Sequence, residues 1–209
     1  MKTRSKKKKR WYEYLWLASL LYLLLGFFNI LFAWLGLACF VIPLLIAVFR
    51  GNKAYCNTYC GRSQLFEILG DTLKLSRRKN LPAFFRTKAF RYGFLAFFMT
   101  MFGVMLYATF QVLAGSPLRE VVTLLWIFKL PWQWADTTFV PAAAAQFAFG
   151  FYGVMLTSTL LGLLMMFVYR PRSWCVYCPM GTMTQGICKI KSLKGEHHGG
   201  ESENHCGAA

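Results

Sequence analysis

Residues 142–181 read AAAAQFAFGFYGVMLTSTLLGLLMMFVYRPRSWCVYCPMG: a long run without a charge, a short basic exit, then two cysteines and a proline. A helix needs about 20 apolar residues to cross the hydrocarbon layer of a bilayer, because no water is present there to satisfy backbone amides. The run from about Ala142 to Tyr169 meets that requirement, and the pair Cys175 and Cys178 follows it directly.

Working outward, the same kind of run recurs. Between Arg10 and Arg50 lie 39 residues with one charge, Glu13, which is too long for one span and right for two. A rather short span is expected from about Tyr14 to Phe28, a second from about Leu31 to Phe49 with Asn29 at a tight turn between them, and a third from about Tyr92 to Leu113. The first is read as an uncleaved anchor, since no small-residue cleavage site follows the basic start. With 56% hydrophobic and 18% aromatic residues in 209, the chain has more apolar surface than one soluble core of this size would hide. The expected fold is an all-α membrane protein of four transmembrane helices, arranged as two repeated helix–cysteine-motif units. Residues 1–13 form a basic tail, 14–191 the membrane domain, and 192–209 a disordered tail rich in Gly and Glu.

Charge sets the orientation. Of 24 Lys and Arg, 22 fall in the amino-terminal tail, the segment Arg50–Arg91 and the stretch after the last span; only Arg119 and Lys129 lie in the 114–140 loop. The positive-inside bias makes the crowded side cytoplasmic, with both termini on it. The net charge of +16 is then explained by topology and by attraction to anionic lipid heads, and needs no nucleic acid. The opposite loop carries Trp126, Trp132 and Trp134 and reads as a segment lying along the outer surface.

The cysteines follow the spans. Cys56 and Cys60 (YCNTYCGR) come soon after the second span, as Cys175 and Cys178 (WCVYCPMG) come after the fourth. Each pair has a Tyr just before its second cysteine, a Gly or Pro-x-Gly after it, and then an amphipathic stretch, SQLFEILGDTLKL or TMTQGICKIKSL. Two units of one topology bring four sulfurs to one depth. Four such thiolates make a metal or cluster site, or else two redox disulfides, and the cytoplasmic placement disfavours disulfides. A membrane thiol oxidoreductase would need the opposite orientation. Zinc remains a chemical alternative, as a non-redox metal-binding protein. An iron–sulfur cluster fits better: thiolates are its usual ligands, Pro179 starts a helix after Cys178, and Arg62, Arg170 and Arg172 offset anionic charge.

With these residues in view, WCVYCPMGTMTQ and YCNTYCGRSQLF resemble the cysteine motifs of the membrane iron–sulfur proteins of the NapH and NosR type, over about residues 11–191. The resemblance implies electron transfer between membrane quinols or flavins and redox partners, with Cys56, Cys60, Cys175 and Cys178 as ligands. It favours a [4Fe–4S] over a [2Fe–2S] centre, although four cysteines suit both. This chain departs from that pattern in carrying Gly61 instead of Pro after the first pair, CxxC instead of CxxxC in the second, and no ferredoxin-like run of cysteines. A separate ferredoxin or flavoprotein is therefore expected to dock on the basic face, with a quinone as a further partner.

Other cofactors are disfavoured. His197, His198 and His205 all lie in the tail with Cys206, so no span offers paired haem ligands. No Gly-rich phosphate loop is present, and the spans hold almost no ionisable residue. Cys39 stands alone in the second span and Cys188 reads as a small buried residue. Gly150, Gly153 and Gly162 in the fourth span, and Gly93 and Gly103 in the third, are expected at close helix contacts.

Overall fold

The structure, a computed structural model, describes residues 14–50, 56, 59–77, 79–125, 127–131 and 140–193. Helix α1 (Leu15–Phe28) ends at Asn29, whose extended backbone leaves the helix and whose side chain accepts from Leu31 N at 3.0 Å. A single 3₁₀ turn then leads into α2 (Ala33–Arg50). The remaining helices are α3 (Gly61–Glu67), which continues into a π-turn over Ile68–Thr72, α4 (Lys88–Leu113), α5 (Ala142–Val168) and α6 (Pro179–Leu193).

Three helical stretches are long and apolar enough to cross a membrane, Ile30–Phe49, Lys88–Leu113 and Ala142–Val168, with 20, 26 and 27 residues. With 14 residues α1 is also apolar, but at 1.5 Å per residue it is only about 21 Å long. Large apolar side chains face outward at helical spacing, among them Leu17, Leu21, Leu24 and Phe28 on α1 and Leu160, Leu164 and Phe167 on α5. Such surface is incompatible with water and matches a hydrocarbon surround. These features are consistent with a membrane protein.

Helix α5 is the centre of the bundle. Toward its start Ala148, Phe149 and Tyr152 pack with Ile30 and Ala33, and the Tyr152 hydroxyl donates to Leu23 O at 3.0 Å. In the middle Phe151 and Met155 meet Met105 of α4, and toward its end Met166 joins Phe66, Phe98, Trp174 and Tyr177. Gly150 and Gly162 lie close against the side chains of Met105 and Phe66, as helix contacts through small residues require. Gly93 and Gly103 do not: a Cβ at either would meet nothing within 4 Å, so these two expected contacts are corrected to open positions on α4.

The all-α expectation needs one amendment. Part of the 114–140 loop is an antiparallel hairpin, β1 (Val121–Leu124) and β2 (Phe128–Pro131). Instead of lying across the end of the bundle, it runs along α5: Arg119 N donates to Gln146 Oε1 at 3.0 Å, Thr123 O covers Gly153, and Leu125 N donates to Thr157 Oγ1 at 3.4 Å. Non-helical backbone is tolerated at such depth only when buried in protein and bonded. Strand β1 and its flanks meet both conditions, through fully buried Val122 and the two α5 side chains, whereas β2 is exposed along its whole length. Trp126, Trp132 and Trp134, on which the surface reading rested, lie outside the described residues, as do both chain ends.

Candidate metal centre

The segments after α2 and α5 do not leave the bundle. They fold back into it. Along α3 the contacts on α5 advance in step: Arg62 reaches Met155 and Ser158, Phe66 covers Gly162, and Gly70 lies under the Pro171 ring beside Met166. Ser158 stands ten residues before the end of α5, a depth of about 15 Å. At its start, Gly61 lies directly against the Leu15 carbonyl and Ser19 of α1. The second segment dips similarly, since Trp174 packs beside Gly162 and against Phe98. Helix α6 then contacts α2 and α4, while α3 contacts α1 and α5. The cysteine pairs, expected to follow their spans, lie just before α3 and α6, and these segments pack back against α5 through Phe66 and Trp174.

Cys60 immediately precedes α3 and Cys178 immediately precedes α6. Pro179 suits the first helical position, where no backbone donor is needed. All four motif cysteines stand outside disulfides and are half-buried. The two motifs engage reciprocally: Cys56 Sγ lies 3.7 Å from Thr184 Oγ1 on α6, and Cys175 Sγ lies 3.3 Å from Ser63 Oγ on α3. Cys60, Cys175 and Cys178 are near enough for their charges to act on one another. A salt bridge from Arg172 to Glu67 Oε2, with N–O distances of 2.6 and 3.1 Å, ties the segment preceding the second pair to α3.

Burial pushes the Cys175 thiol up to about 12, a rise opposed by the Ser63 hydrogen bond, reinforced by the charges of Cys178 and Cys60, and opposed again by Arg172. Cys178 is likewise pushed up by burial, while the N–H groups of Gly181 and Met180 hydrogen-bond its sulfur and, with Arg62, act in the opposite direction. An apolar wall of Phe66, Phe94, Phe98, Trp174 and Tyr177 surrounds the second motif. Within it Trp174 Nε1 is buried with no acceptor among the described residues.

Among the described residues, no three His, Cys, Asp or Glu side chains form a group that would hold one metal ion. A tetrahedral zinc site, with Zn–S near 2.3 Å, requires its sulfurs only about 3.8 Å apart. An iron–sulfur cluster is larger, and its ligand sulfurs stand correspondingly farther from one another. The donor set present here, thiols with N–H groups and guanidinium charge acting on them, suits an anionic thiolate-bound group.

Several contributors were not evident in the sequence. Ser63 and Thr184 carry no motif signal. Cys39, which seemed isolated, lies within electrostatic reach of Cys60 and Arg62. Cys188 is 1% exposed and disulfide-bonded, hence no free ligand. The histidines of the tail lie outside the described residues.

No curated protein and no solved structure matches this chain. Residues 32–82 and 151–195 match the family model of a 4Fe-4S binding domain. The first stretch contains all of α2, Cys56, Cys60 and α3; the second contains the later part of α5, Cys175, Cys178 and α6. The chain is an iron–sulfur protein, and its cofactor is an iron–sulfur cluster of the kind that the matched family, a [4Fe–4S] one, binds.

Proposed function

We propose that this protein is a multi-pass electron-transfer component of the bacterial inner membrane, of the NapH and NosR type, whose cluster is ligated jointly by Cys56, Cys60, Cys175 and Cys178. The observation that carries the reading is the reciprocity of the motifs. Cys56 leans on Thr184 of α6 and Cys175 on Ser63 of α3. Four spans in two repeated units, with both termini cytoplasmic, account for this pairing and for the one-sided distribution of Lys and Arg.

A bound cluster supplies one-electron transfer at a potential set by charge, hydrogen bonding and exposure. The chain's own residues govern those quantities. Cys175 and Cys178, held as thiols by burial, release their protons when they become ligands. Arg62 and the N–H groups of Met180 and Gly181 then offset the thiolate charge. Trp174, Phe94, Phe98 and Tyr177 keep water from the second motif. A dithiol oxidoreductase instead requires a depressed thiol pKa, opposite to the shift at Cys175. An acidic ferredoxin or flavoprotein on the basic face, or a quinone among the helices, completes the electron path.

Iron and acid-labile sulfide, with visible and EPR spectra, test this on anaerobically purified protein beside a Cys175→Ser, Cys178→Ser variant. Iron and sulfide in the parent and their loss in the variant are expected. Retention of a full cluster by the variant would overturn the ligand assignment, and zinc in place of iron would overturn the redox function.

A further inference from the structure

Away from the cysteine centre, α4 and α6 enclose a cavity of about 110 Å³ lined by Lys88, Arg91, Tyr92, Thr182, Gln185 and Lys189, with Gly186 in its wall. Three of the lining side chains are cationic and none is acidic. The Arg91 guanidinium is oriented by donation to Gln185 Oε1, yet its buried Nε has no acceptor among the described residues. A Cβ at Gly186 would meet nothing within 4 Å, so the space beside the helix backbone is open.

Depth identifies the source of an anion here. With 26 residues, α4 is about 39 Å long, some 9 Å more than the hydrocarbon layer. Its charged first turn, Lys88–Arg91, therefore stands at head-group level while the apolar remainder is immersed. Basic clefts between membrane helices at that level recognise phosphate-bearing lipid heads. We propose that the cleft between α4 and α6 binds the phosphodiester of an anionic phospholipid. Lys88, Arg91 and Lys189 pair with the phosphate, and Tyr92 supplies a hydroxyl group at its edge. The inference rests on the membrane placement proposed above but not on the cluster ligands. Since Thr182, Gln185 and Gly186 share α6 with Thr184, the lipid fastens the helix on which Cys56 leans.

Native mass spectrometry of the full chain, released from nanodiscs containing phosphatidylglycerol and phosphatidylcholine, provides the test. Two variants address the cleft differently: Lys88→Gln, Arg91→Gln, Lys189→Gln removes its charge, whereas Gly186→Leu fills open space with the charge intact. Retained phosphatidylglycerol should fall at least fivefold in both, with phosphatidylcholine unchanged and circular dichroism confirming folding. Unchanged phosphatidylglycerol retention in a folded Gly186→Leu variant overturns the site. Equal thermal stabilisation by inorganic phosphate and by phosphatidylglycerol overturns the lipid assignment in favour of a free anion. Loss of binding to an acidic ferredoxin, with lipid retention intact, reassigns the cleft to a protein partner. Failure of the protein to enter nanodiscs at all is a different result, and refutes the membrane placement.

Discussion

Gly61→Ala concentrates the geometry of the centre into one methyl group. A Cβ at this position would stand 3.0 Å from the Leu15 carbonyl carbon, closer still to the carbonyl oxygen, and against Ser19 Oγ. Ser19 can rotate; the Leu15 carbonyl cannot, being part of α1. Helix α3 must then move away from α1 by several tenths of an ångström, carrying Cys60 with it. Forced overpacking of this kind costs about 1–3 kcal/mol. For a chain of roughly this size, 1 kcal/mol corresponds to about 2–4 °C in Tm, so a fall of about 2–12 °C is expected. Gly93→Ala is the matched control: nothing lies within 4 Å of its Cβ, and relief of glycine's entropy should stabilise by about 0.5–1 kcal/mol, or about 1–4 °C. Thermal melts in detergent, read together with iron per chain, check both. If Gly61→Ala melts with the parent and keeps its full iron content, the close approach of α3 to α1 is wrong.

Two further predictions concern charge. Arg62 donates to Ser158 Oγ at 2.6 Å and to Met155 Sδ at 3.1 Å, with no carboxylate partner among the described residues. Arg62→Gln removes a cation that favours the reduced, more negative cluster, so the midpoint potential should fall by on the order of tens of millivolts; an unchanged potential in EPR-monitored titration refutes its electrostatic role. In metal-free protein, the Cys175 thiol, pushed up to about 12, should be alkylated at a rate still rising tenfold per pH unit from about 8 to 11, beyond an ordinary thiol pKa near 8.5. The sign for stability follows: below about 8.5 the contribution is fully present, and it is lost as pH rises toward 12, because the unfolded chain ionises first. An alkylation plateau at or below pH 9 contradicts the burial that raises this thiol.

Much of this architecture was legible in the sequence. Apolar runs place α1, α2, α4 and α5, the last three of them long enough to cross a membrane, and Asn29 marks the turn between the first two. The four cysteines are likewise plain as two similar pairs. What the sequence does not carry is depth. The distance from Arg50 to Cys56, or from Tyr169 to Cys175, counts residues without saying whether the chain continues outward or turns back. That choice is made by tertiary contacts, Phe66 over Gly162 and Gly61 against α1, which no local pattern encodes. The hairpin was missed for a related reason: VVTL and FKLP are too short for an alternating pattern to stand out, and their place is fixed by Gln146 and Thr157 on α5. The small residues of α4 misled because glycine marks close approach only where another element arrives.

The reciprocal seating of the two motifs also sets an order for biogenesis. Cys56 emerges from the ribosome more than a hundred residues before Thr184, the side chain it rests on. Throughout that interval the first motif is translated, yet without its neighbour, and Ser63 likewise waits for Cys175. On the joint ligation proposed above, cofactor loading belongs to the end of synthesis, after α5 has entered the bundle and α6 has folded back, and not to the moment when the first cysteines appear.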